Sequence, residues 1–463
     1  MDKFDYCLLA ISLPLRENFK LTSMRKIVFS LLLLFLFLSC KKSNPNFQEE
    51  VANANFYHGA FKGVTDIMVY DIFSPPVASR IYSRCAIAGY EAMAAGDPNY
   101  RSLAGQIKDL PTMPKPEAGK EYSFPIASVK AIITTGRTLL FSEDKMNAYE
   151  KTVMAQYETI GVPDDVLKRS LAFGDSISAA VIRWTSKDNY KQSRTFPKFS
   201  VTNEPERWKP TPPAYMDAVE PHWNKQRPLT LDSASQFKPA PPTPYSVDKK
   251  SLFYNQAKEV KDVVNKKDSL NEHIASFWDC NPFIVHQQGH VMFATKKISP
   301  GGHWMGITST LCKQLNKPFS ATAEAYVLVA CCLYDGFISC WDEKYRSNLV
   351  RPETYINENI DPEWVPLLQT PPFPEYTSGH SVVSSASAEI LTQLMGENLA
   401  FTDSVEVEYG LYPRTFPSIK KAAEEACISR FYGGIHYMPA IINGAEQGKM
   451  IGKHVMLRVK TKK

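Results

Sequence analysis

The chain has 463 residues, 44% hydrophobic and 12% aromatic, enough for a large buried core and too apolar for a disordered chain. Its formal net charge is only +5, and no basic stripe carries interleaved aromatics, which argues against a nucleic-acid partner. The 33 prolines point to long ordered loops between the elements.

Residues 1–39 read as a signal region, with Met24 as the expected start. Arg25-Lys26 precede an apolar run from Ile27 to Leu38, too short to span a bilayer comfortably, and Ser39-Cys40 follow. A small residue before Cys at the end of such a run resembles a bacterial lipoprotein cleavage site. The expectation is export, cleavage before Cys40 and lipid attachment there, giving a membrane-anchored lipoprotein at the periplasm or cell surface. Polar residues 40–55 would be the tether.

Residues 56–195 carry helical periodicity. Ser74-Pro75-Pro76 is a helix start, and Val77, Ile81, Cys85, Ala88 and Ala92 follow at helical spacing. Pro163-Asp164-Asp165 opens another, with acids at its positive end. Residues 196–250 form a Pro-rich excursion whose Trp208, Tyr215 and Trp223 should pack on the body and roof a site. The segment is equally a candidate channel wall or subunit contact, so an oligomer stays open. Alternating strand signals are almost absent, so the expected fold is all-α.

Residues 251–463 read as a catalytic helical bundle. His286 and His290 stand four apart, a zinc-compatible spacing on a helix. Gln287 occupies the place of a metalloprotease glutamate and no third ligand is evident, so packing or a pocket rim is the better reading. Of the nine cysteines, none outside Cys7 and Cys40 shows metal-ligand spacing, and Cys331, Cys332 and Cys340 read as small buried residues. A long helix with body Ala321–Lys344 would be capped by Ser320. Further helices are expected from Ser378-Gly379 to before Gly396, over about 417–430, and from near Pro439.

Three blocks in this region carry chemistry. Phe337, Trp341 and Lys344 share a helix face, and Arg351 follows seven residues later, before Pro352. Taken alone, such a Lys/Arg pair is a solvated basic face. Ser378-Gly379-His380 opens a helix, where free N–H groups and the dipole favour an anion, although it also reads as a simple N-cap with a surface histidine. Arg430 and His436 flank Gly433-Gly434, and His436 alone reads as a core histidine. Together the blocks gather three cations, a hydroxyl, a helix-start amide and two imidazoles, a set suited to phosphate or vanadate.

The joint pattern resembles the type 2 phosphatidic acid phosphatase and vanadium haloperoxidase superfamily: Lys-x6-Arg-Pro, then Pro-Ser-Gly-His, then Ser-Arg-x5-His. Here Thr377 replaces the usual Pro, and Ala440 stands where the family often has an acid four residues after the last histidine. Asn443 or Glu446 is a candidate substitute for that acid. Trp341, Phe373 within Phe-Pro-Glu-Tyr-Thr-Ser-Gly-His, Phe277-Trp278-Asp279 and Ser299-Pro-Gly-Gly-His303-Trp304 resemble the haloperoxidase branch. The resemblance covers about 270–450 and implies an all-α fold with the pocket at the end of a helical bundle. It further implies a vanadate ligand in His436, oxygen neutralisation by Lys344, Arg351 and Arg430, and help from Ser378 and the Gly379 amide. His380 would move protons, Trp341 and Phe373 would form an apolar wall, and Asp279 would pair with Arg430. The substrates would be hydrogen peroxide and a halide. Two alternatives stand beside this one. The first is an acid-phosphatase-type hydrolase, in which phosphate replaces vanadate and His436 attacks a phosphate ester. The second is a ligand-binding lipoprotein with a retired pocket.

Overall fold

The computed structural model describes residues 44–288, 291–294 and 296–463, with the side chains of 285–295 left out of the description. The signal region and Cys40 therefore lie outside the described residues.

The segment expected to be a tether packs instead. Helix α1 (Phe47–Val51) buries Phe47 and Val51, an apolar pair at i and i+4 that its polar neighbours disguise. Asn44 N–H donates to Gly161 O, which fastens the segment to the body. Helices α2 (Asn55–Tyr70), α3 (Pro75–Ala94), α4 (Phe124–Leu139), α5 (Glu143–Ile160) and α6 (Asp164–Thr185) build the first half. Ser74 is the N-cap of α3 but its hydroxyl makes no cap bond, so the two prolines of the first turn set the start.

After a single turn, α7 (Tyr190–Ser193), the Pro-rich excursion runs with one short 3-10 turn at Trp223–Lys225. Trp208 and Trp223 are buried as expected, whereas Tyr215 is exposed. The excursion is pinned by the buried Asp335, which accepts from Leu229 N, Thr230 N and Thr230 Oγ1.

The second half contains α8 (Leu252–Asn265), α9 (Ser269–Phe277), α10 (Pro300–Gln314), α11 (Phe319–Ser347), α12 (Pro352–Asn359), α13 (Gly379–Met395), α14 (Ile419–Tyr432) and α15 (Met438–Arg458). Helix α11 starts one residue before Ser320, whose hydroxyl donates to Asp97 rather than capping. It is long and apolar enough to cross a membrane, but its apolar window is wholly buried, as in the core helix of a globular bundle. It packs on α3 and α13, so both halves share one core running from Phe47 to Val459. Helices α13 and α15 cross closely at Gly448, where a Cβ would lie 2.1 Å from Val382 O.

Two antiparallel hairpins interrupt the helices. Strand β1 (Val285–Gln288) pairs with β2 (Val291–Ala294), and β3 (Phe401–Asp403) with β4 (Arg414–Phe416). His286 thus stands on a strand rather than on the expected helix, and His290 lies outside the described residues. Valines and Phe293 favour a pleated segment over a helix there.

Candidate active site

Five segments meet at one end of the bundle. The last turns of α11 supply Trp341 and Lys344. Asn348, in the left-handed conformation at φ 47°, ends that helix and turns the chain toward Arg351, the N-cap of α12. Segment 371–378 carries Phe373, Glu375 and Ser378 into α13. The end of α14 supplies Arg430, and Gly434 at φ 79° turns the chain to His436.

The three cations are not a solvated face: Lys344 and Arg351 are 0% exposed and Arg430 is 1% exposed. Lys344 Nζ donates to Pro374 O at 2.9 Å and Glu375 O at 3.0 Å. Arg351 donates through Nε to Phe373 O and through Nη1 to Ile435 O, both at 2.9 Å. Arg430 Nη1 donates to Trp278 O at 2.9 Å. Burial pushes Lys344 down to about 7 and Arg351 down to about 10.

The orienting acid of His436 is Glu375. Its Oε1 accepts from His436 Nδ1–H at 2.8 Å and from Tyr437 N–H at 3.0 Å. That bond sets the tautomer and leaves a lone pair on Nε2, which in this structure accepts from Arg351 Nη1 at 3.1 Å. Burial, then Arg351, Lys344 and Arg430, hold His436 well below the usual histidine range, so it is neutral. Burial lifts Glu375 to about 7, against the pull of Arg351 and Lys344. Neither suggested substitute does this work: Glu446 is exposed, and Asn443 pairs with Tyr376. Sequence reasoning missed Glu375 although it lies inside a quoted motif. The available signal was an acid within an otherwise apolar, Pro-rich stretch three residues before Ser378.

Ser378 caps α13, its Oγ accepting from Ser381 N at 3.3 Å, and the amides of Gly379 and His380 open the helix without intrahelical acceptors. His380 is kept neutral by burial and by Arg430. Thr377 follows a cis peptide bond and donates to Gln447 Oε1 at 2.8 Å.

The pocket is lined by Trp341, Phe373, Gly379, His380, Arg430 and His436, among others. Trp341 and Phe373 touch with ring centroids 4.9 Å apart, and the Phe373 ring lies 5.1 Å from Lys344 Nζ. Pro75 and Phe283 also line it, residues no motif pointed to. The Pro-rich excursion does not roof the pocket. It braces the wall from behind, Val219 O accepting from Trp341 Nε1 at 3.2 Å and Tyr345 OH at 2.7 Å. Asp279 is likewise not part of the wall. It pairs with Lys297 at 2.7 Å and stands 3.8 Å from Arg430, behind the guanidinium.

Among the described residues, two buried donors here have no partner, Arg351 Nη2 and Arg430 Nε, and the Nε2 of neutral His380 is also unpaired. Orphaned donors on two buried guanidiniums, beside a histidine lone pair that meets only a guanidinium N–H, fit a multiply charged oxyanion bound at that nitrogen. Fold and site together define a helical-bundle oxyanion protein of the vanadate and phosphate type.

A family profile described as the VCPO second helical-bundle domain matches residues 324–462. The crystal structure of the first bacterial vanadium-dependent iodoperoxidase superposes with a TM-score of 0.84 and 47% identity, covering 89% of this chain and 97% of that one. Holo and apo forms of a bacterial vanadium-dependent chloroperoxidase match with a TM-score of 0.64. At 14% and 13% identity they share the fold, covering 84% and 83% of this chain and 93% and 94% of theirs. No curated protein matches. The chain belongs to the vanadium-dependent haloperoxidase family.

Proposed function

We propose that this protein is a vanadium-dependent haloperoxidase that oxidises a halide with hydrogen peroxide, using vanadate held by His436 Nε2. The observation that carries the reading is the set of unpartnered buried donors around a histidine whose other nitrogen is fixed by Glu375. Bound vanadate supplies the activation of peroxide toward halide without changing its own oxidation state. Lys344, Arg351 and Arg430 neutralise oxyanion charge as fixed cations in a dry site, where they need no reorganisation. Ser378 and the Gly379 amide add donors. His380, neutral and with Nε2 free, accepts and returns a proton at the pocket. Trp341 and Phe373 exclude water from the opposite side. The 47% identical relative is named an iodoperoxidase, which makes iodide the first halide to assay.

The test is a paired assay on purified protein. One arm supplies orthovanadate, hydrogen peroxide and iodide or bromide with a halogen-accepting dye. The other supplies a chromogenic phosphate ester without vanadate. Vanadate-dependent dye halogenation that disappears in His436→Ala supports the proposal. Ester hydrolysis inhibited by vanadate, with no halogenation, makes the protein a phosphatase instead. The N-terminal pattern supports a second element of the proposal, export and anchoring to a bilayer through lipidated Cys40. Mass spectrometry of the N-terminal peptide from membranes, for wild type and Cys40→Ala, tests it: an unmodified Cys40 rejects anchoring.

A further inference from the structure

Beside the oxyanion pocket lies a second cluster that the proposed chemistry does not use. Cys280 follows α9 and lines the pocket, His303 stands in the first turn of α10, and Glu406 precedes the short turn after β3. All three are buried, at 1%, 0% and 2% exposure. We propose that Cys280 Sγ, His303 Nδ1 and Glu406 Oε1 form a site for one zinc-type divalent cation, with Asp403 as the carboxylate behind the histidine.

The geometry is the first argument. His303 Nδ1 is 3.3 Å from Cys280 Sγ and 3.0 Å from Glu406 Oε1, and the sulfur is 3.6 Å from that oxygen. Tetrahedral zinc with bonds of about 2.3 Å to sulfur and about 2.0 Å to nitrogen and oxygen places those atoms about 3.5, 3.3 and 3.5 Å apart. The three edges match this triangle to within about 0.3 Å, so a cation enters with little rearrangement.

The surroundings are the second argument. His303 Nε2 lies 2.7 Å from Asp403 Oδ2, the carboxylate–histidine arrangement that turns the other nitrogen toward a metal. Trp278 stacks on the imidazole at 4.6 Å between centroids, holding the ring plane. Thiolate and imidazole with one carboxylate select zinc-like ions over magnesium or calcium. Three protein ligands leave a fourth position for water. Among the described residues this is the one group of Cys, His and acid with such spacing.

The inference stands apart from the haloperoxidase reading, and its test uses no vanadate or peroxide. Cobalt(II) is added to the metal-free protein and followed by absorption. A thiolate-to-cobalt charge-transfer band that saturates at one equivalent and is displaced by one equivalent of zinc is expected. Cys280→Ser should abolish the band, and Asp403→Asn should weaken zinc binding about 10- to 100-fold. Absence of the band in the unmutated protein overturns the proposal and leaves His303 as a metal-free ion bridge. A band that persists in a folded Cys280→Ser variant also overturns it, placing cobalt on another thiol.

Discussion

Lys344 offers a direct measure of whether the pocket is built for an anion. Burial holds it at about 7 against its ordinary 10.5, while Arg351 adds like charge and Glu375 opposes the shift. At pH 8.5 about 3% of such a lysine is protonated. An oxyanion in direct contact, about 4 Å away, is worth about 4 kcal/mol at an effective dielectric of 20, on the order of three pKa units. That returns Lys344 to about 10, so binding at pH 8.5 takes up nearly one proton. Sulfate is the clean probe because it does not titrate in this range. Isothermal titration of sulfate at pH 8.5, in buffers of different ionisation enthalpy, gives the proton count directly. The expected result is close to one proton for the wild type and close to none for Lys344→Met. Affinity should fall about tenfold per pH unit above about 7, since only the protonated lysine pairs with the anion. The sign for stability runs the other way. Between the folded value and 10.5 the unfolded chain holds the proton that the fold has lost, so this group makes the anion-free protein more stable as pH rises through that window. Zero proton uptake in the wild type, or equal uptake in Lys344→Met, would refute the reasoning.

Glu375→Gln removes the charge that fixes the His436 tautomer, and vanadate affinity, read as half-saturation of halogenating activity, should fall about 10- to 100-fold. Unchanged half-saturation would remove Glu375 from the site. Asp335→Asn keeps shape but cannot accept from all three donors of Leu229 and Thr230, so a loss of about 1–3 kcal/mol is expected in chemical denaturation. Protection of the 229–230 amides in hydrogen exchange should drop with it, and intact protection would contradict the pinning role. Gly448→Ala forces a methyl to within 2.1 Å of Val382 O and should lower Tm by several degrees as α13 and α15 separate. A Tm equal to wild type would show that the crossing has slack.

The sequence determined what is local. Helix starts at Ser74-Pro75 and Pro163-Asp164, the helix beginning at Gly379 and the one ending before Gly433 all follow from caps, prolines and 3.6-residue periodicity acting within a few residues. The order and inner spacing of the Lys-Arg, Ser-Gly-His and Arg-His blocks were equally legible, because chemistry at a fixed spacing survives as a pattern. What the sequence could not decide was exposure and pairing between distant segments. Whether Lys344 and Arg351 face water or a dry pocket depends on α11 being enclosed by α3 and α13. That Glu375 rather than a residue after His436 fixes the imidazole depends on two chain segments 61 positions apart meeting within 2.8 Å. The tether misread at Phe47 and Val51 has the same origin, since two apolar residues in polar company declare nothing until a partner surface exists. Cys280, His303 and Glu406 carry no ligand spacing in the chain and become neighbours only when the loop after α9, the start of α10 and the turn after β3 pack together. Local free energies are written along the chain, whereas burial and long-range electrostatics arise from packing and exist only once the fold has closed.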